Sequence, residues 1–131
     1  MIFLVDHNLE GHALLLSGYI ASLGWLDLLS IRFLTFEALA LPITSSDRNV
    51  WRFAQKNQMI LLTANRSIKD KNSLEQVMRE ENTSTSLPVV TVGDADRILT
   101  DADYSNRCVD RLIEIVFDLD EYRGSRRLFI P

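Results

Sequence analysis

Three runs decide the fold: Ile2-Phe3-Leu4-Val5, which stops at Asp6; Met59-Ile60-Leu61-Leu62-Thr63, followed after Ala64 by Asn65; and Pro88-Val89-Val90-Thr91-Val92, which gives way to Gly93-Asp94-Ala95-Asp96. Short apolar runs bounded by polar residues, with helical stretches between them, read as strands of a parallel sheet buried on both faces. The carboxyl ends of such strands share one edge of the sheet, and ligands bind along it. Asp6, Asn65 and Asp94 are therefore expected at one rim although they are far apart in the chain. Oxygen donors gathered there suit a hard divalent cation, Mg2+ or Mn2+. Asp and Asn are also ordinary turn and cap residues, and each of these positions carries that plainer reading as well.

Outward from these runs the pattern turns helical. Leu9, Ala13, Leu16, Ile20 and Leu23 share one face, and Gly24 follows as a stop. Residues 28–34 read as another strand. Ser46 is a good N-cap and Asp47 favours a first helical turn, with Val50, Trp51, Phe53 and Ala54 as the apolar face and an end near Asn57. Ser73 opens a short helix to Arg79, and Cys108, Leu112, Ile113 and Val116 mark a long one over about 104–119. Leu128-Phe129-Ile130 closes the chain as a small edge strand. The order predicts one domain over residues 1–131, a three-layer α/β sandwich with a mainly parallel sheet of four or five strands.

Composition narrows the function classes. At 131 residues the chain can bury a core without staples. Its net charge of −4 argues against a generic nucleic-acid coat protein, yet leaves room for a nuclease with an acidic pocket beside a basic patch. The one cysteine, Cys108, excludes an internal disulfide and a thiolate zinc cluster. No apolar run approaches a membrane span, and no basic segment precedes the first strand, so a cytoplasmic protein with no membrane attachment is expected.

Three phrases carry a family resemblance: Phe3-Leu4-Val5-Asp6-His7-Asn8-Leu9, then Ser46-Asp47-Arg48-Asn49-Val50-Trp51-Arg52-Phe53-Ala54, then Ile60-Leu61-Leu62-Thr63-Ala64-Asn65-Arg66. In order and spacing they resemble the small PIN-like domains, among them the toxin ribonucleases of bacterial toxin–antitoxin pairs. The match covers about the first half of the chain. It implies a Mg2+- or Mn2+-dependent endoribonuclease, with RNA as substrate, an antitoxin as protein partner and a second copy of the chain as a further one. Asp6 falls on the first metal-binding carboxylate and Asp47 on the acid that opens a helix. Asn65 stands where the family has its next Asp, Ser67 where another acid would fall, and His7 where an acid is common.

With Asp94 added from the strand-end reasoning, Asp6, Asp47 and Asp94 would hold the metal. Asn65 would complete the shell or orient water, and Arg66, Lys69 and Lys71 would grip the RNA backbone. Arg123, Arg126 and Arg127 form a second basic cluster. His7 and His12 are weaker candidates for a general base, and adjacent residues on an extended chain point opposite ways, which separates His7 from Asp6. The neutral Asn65 and Ser67 favour a rival: a catalytically impaired PIN-like scaffold that binds protein or RNA. A receiver-like or flavodoxin-like reading lacks a late-strand Lys and a flavin signature.

Overall fold

The computed structural model describes residues 1–65 and 73–131. Five strands, β1 (Ile2–Val5), β2 (Arg32–Thr35), β3 (Met59–Thr63), β4 (Val89–Val92) and β5 (Arg127–Ile130), form one sheet in the order β2-β1-β3-β4-β5. Every pairing is parallel. The helices are α1 (Glu10–Ser22), α2 (Trp25–Leu28), α3 (Asp47–Lys56), α4 (Leu74–Glu81), α5 (Ala95–Thr100), α6 (Ala102–Phe117) and α7 (Leu119–Tyr122). The expected three-layer α/β architecture is present, and the 2-1-3-4-5 order is that of doubly wound sheets of the flavodoxin kind.

Alternation along the strands makes the three layers. Phe3, Val5, Ile60, Leu62, Val90 and Val92 face α1, α5 and α6 in one apolar cluster. Leu4, Met59, Leu61 and Val89 face α3 and α4 in the other. With both faces covered, β3 and β4 are buried at every position, which is why they read as nearly continuous apolar runs, relieved only by Thr63 and Thr91. Cys108 and Trp51 are core, as expected, whereas Phe53 is only partly buried. Trp25 meets the far end of α6 edge-on, its ring 5.4 Å from that of Phe117.

The helix ends follow the local chemistry. Ser46 Oγ accepts from the Asn49 amide and Ser73 Oγ from the Gln76 amide, as their positions foretold. Gly24, at φ +80°, ends α1 in the left-handed conformation glycine adopts most readily. Residues 28–34 do not form one strand. The Leu29 amide bonds back to Trp25 O and that of Ile31 to Leu26 O, which makes the first part of the run a helical turn, and Ser30 at φ +52° breaks the chain before β2. A short apolar run fits a helical turn and a strand equally well, and here the turn is largely exposed, with Leu28 76% exposed. Among the described residues no helix is long and apolar enough to cross a membrane.

Candidate functional site

From β1 the chain moves outward to β2, then crosses back to β3 on the other side of β1, so the topological switch point lies between β1 and β3. In doubly wound sheets the crevice outside the carboxyl ends of those strands is the ligand site. A small cleft of about 50 Å³ lies there, lined by the polar residues Asp6, His7, Ser45, Asp47, Thr63 and Asn65 over a floor that includes Phe36, Val50, Leu61 and Leu74. That volume suits a few waters or a small ion rather than an organic cofactor.

Each polar group is held from a different element. The Asp6 amide extends the sheet by one hydrogen bond, 2.9 Å to Leu62 O, which sets the carboxylate at the strand end. Thr63, 1% exposed, donates its hydroxyl to Asp6 Oδ2 at 2.8 Å and accepts the Asn65 amide at 3.0 Å. The Asn65 side chain then donates to Asp47 Oδ2 at 3.0 Å. Asp47 sits in the first turn of α3, and α3 is latched to α4 by Arg48 with Glu80 and Glu81 and by Arg52 with Glu81. Hydrogen bonds from Gln76 and Arg48 hold the Glu80 carboxyl below its ordinary range; Arg52 and Arg48 do the same for Glu81.

Asp6, Asp47 and Asn65 are thus brought together, as the strand-end reasoning and the motifs expected. Asp94 is not: it does not line the crevice, and its carboxylate caps α5 through the Arg97 amide at 3.4 Å. Its own amide donates to the Tyr104 hydroxyl at 2.8 Å. Asp94, rather than Asp96, is the cap of the short helix that follows β4. His7 departs from expectation in the opposite sense. The chain leaves the extended conformation after Asp6 and enters a 3-10 turn, His7–Leu9, so the two neighbouring side chains converge, His7 Nδ1 standing 3.3 Å from Asp6 Oδ1. His12 lies on α1 away from the crevice, its Nδ1 buried without a partner among the described residues.

Arg66, Lys69 and Lys71, and with them Ser67, lie outside the described residues. Of the second basic cluster, Arg126 is exposed and the other two are engaged. Arg123 bonds Asp120 and Thr85 O, and Arg127 is buried at the start of β5, bonded to Glu75, Asn65 O and Thr91. Thr63 is the crevice residue that sequence reasoning missed, and Arg127, read only as one of a basic cluster, bonds the Asn65 carbonyl instead. A threonine ending an otherwise apolar strand was the signal for the first; nothing in its local pattern distinguishes Arg127 from its exposed neighbours.

No known protein family, curated protein or solved structure matches this chain. The similarity to PIN-like domains therefore rests on the three phrases alone. Among the described residues, no three His, Cys, Asp or Glu side chains stand together as a metal-binding group. The three-carboxylate shell expected from Asp6, Asp47 and Asp94 is not assembled, because Asp94 is spent on a helix cap. What remains, two carboxylates with a neighbouring amide, fits the sparser sites in which Mg2+ keeps several waters and takes its other ligands from substrate phosphate.

Proposed function

We propose that the crevice is the active site of a metal-dependent endoribonuclease acting as the resemblance implies, with Mg2+ or Mn2+ held by Asp6 and Asp47. The observation that carries this reading is the meeting of Asp6, Asp47 and Asn65, from three separate elements, in one polar cleft at the switch point. Bound there, the ion would supply positive charge to a scissile phosphate and lower the pKa of a water it holds. The chain's own residues would do the positioning. Thr63 fixes the Asp6 carboxylate, Asn65 holds Asp47, and His7, 39% exposed beside Asp6, is placed to hydrogen-bond an incoming phosphate or water. Cleavage of a single-stranded RNA in Mn2+, abolished in Asp6→Asn, is the expected result; RNA left intact by the wild type under the same conditions would end the reading.

A second reading keeps the scaffold and drops the chemistry. The neutral Asn65 and the cap role of Asp94 favour it, and so do the exposed leucines Leu14, Leu15, Leu23 and Leu28 along α1 and α2, which suit a protein partner such as an antitoxin or a second copy. Binding of RNA without cleavage, or a dimer by light scattering from a chain that binds no Mn2+, would support it.

A further inference from the structure

We propose that Arg127 is a positioning residue for the crevice, tying the last strand of the sheet to the Asn65–Asp47 contact on the far side of β4. Its side chain is only 8% exposed. Nε donates to Glu75 Oε1 at 2.6 Å, and Nη1 donates both to Asn65 O and to Thr91 Oγ1, each at 2.7 Å. Nη2 is buried without a partner among the described residues. One guanidinium thus joins β5, β4, α4 and the turn after β3. It contacts the chain at Asn65 and at Glu75.

Stability alone is a poor reason for this arrangement. Burying the guanidinium while Glu75 stays 29% exposed gains little over an apolar residue of the same size, and Nη2 has no partner among the described residues. What the guanidinium offers that an apolar side chain cannot is a fixed fork of donors, one arm of which holds the Asn65 carbonyl. With that carbonyl held from below and the Asn65 amide held by Thr63, the side chain of Asn65 is aimed at Asp47. Partners that hydrogen-bond a ligating group orient it, and losing one typically weakens metal binding by about 10–100-fold; Arg127 acts one step further out, through Asn65 on Asp47, so the low end of that range applies. The part of this inference that concerns ligand affinity rests on the crevice being a cation site; the part that concerns the aim of Asn65 does not.

The test uses the full chain and two readouts: the side-chain amide resonances of Asn65 by NMR, and Mn2+ affinity by calorimetry. Arg127→Met is expected to move the Asn65 amide resonances towards those of a free amide and to weaken Mn2+ binding by about tenfold. Arg127→Lys, which keeps one donor, should restore part of both. Leu128→Ala, which loosens β5 without touching the guanidinium, should lower the melting temperature and leave both readouts in place. If Arg127→Met does not fold, the neutral pair Arg127→Gln with Glu75→Gln is read in the same way. A folded variant with unchanged Asn65 resonances overturns the proposal, as does Leu128→Ala reproducing every effect. Should the wild type bind no Mn2+, the cation reading fails by itself, and the Asn65 resonances still decide the role of Arg127.

Discussion

Replacing Thr63 by Val asks whether the crevice is held together as described. The two side chains have the same shape and both favour strands, so β3 keeps its packing and only the hydroxyl is lost. That hydroxyl, 1% exposed, donates to the Asp6 carboxylate at 2.8 Å and accepts the Asn65 amide at 3.0 Å. A hydrogen bond to a charged acceptor contributes about 1.5–3 kcal/mol, and leaving the part-buried Asn65 amide unpaired costs about 1 kcal/mol, the low end of the range for a buried group. Asp6, whose side chain is 20% exposed, recovers part of its loss from water. The net destabilisation is then about 3 kcal/mol. At about 2.1 cal/mol/K per residue, the 131-residue chain unfolds with an entropy of about 0.28 kcal/mol/K, so the melting temperature should fall by about 10 °C. Circular dichroism melts and urea titrations of the wild type, Thr63→Val and Thr63→Ser measure this directly. Ser keeps the hydroxyl and should retain most of the lost stability. A Thr63→Val variant within about 0.5 kcal/mol of wild type, the range of an ordinary surface substitution, would refute the hydrogen-bonded frame drawn around Asp6.

Further outcomes follow from the same structure. The Cys108 thiol is fully buried and burial pushes it up to about 11, so a thiol reagent at pH 8 should leave the native protein unmodified and label it completely in guanidinium; rapid native labelling would contradict the placement of α6. Glu80 and Glu81 are held below the ordinary carboxyl range, so their contribution is in place at and above that range and is lost as the pH falls through their folded-state values. Urea midpoints measured from pH 6 to pH 3 should therefore decline less steeply in Arg48→Met than in wild type, and parallel curves would remove the latch from the account. Asp94→Ala should cost about 1 kcal/mol through its lost cap and leave Mn2+ affinity unchanged; a fall in affinity would return Asp94 to the site.

Much of this was legible in the chain because the period of side-chain burial is a local property. Strands β1, β3 and β4 are almost wholly apolar, with Thr63 and Thr91 the exceptions, since both faces of the sheet are covered, and Ser46 and Ser73 announce the helices they cap. The convergence of Asp6 with Asn65 followed from parallel topology alone. The rest depended on where the backbone turns. His7 meets Asp6 only because a 3-10 turn begins there, and residues 28–34 divide between a helical turn and a strand because Ser30 takes a positive φ. Asp94 obeys the strand-end rule in position, yet the demand for a cap at α5 takes its carboxylate. Arg127 read only as one of a basic cluster for a different reason: its partners Glu75, Asn65 and Thr91 are brought to it only by the completed sheet.

The central claim is that a divalent cation binds in the cleft between Asp6 and Asp47. Adding Mn2+ in substoichiometric steps to the ¹⁵N-labelled protein tests it directly, since the ion broadens nearby amide signals. The account predicts early loss of the Asp6, Asp47 and Asn65 amides while those of Asp94 and Asp96 persist, with the effect absent in Asp6→Asn. No selective broadening, or broadening centred on the acidic turn at Asp118, Asp120 and Glu121, would contradict it.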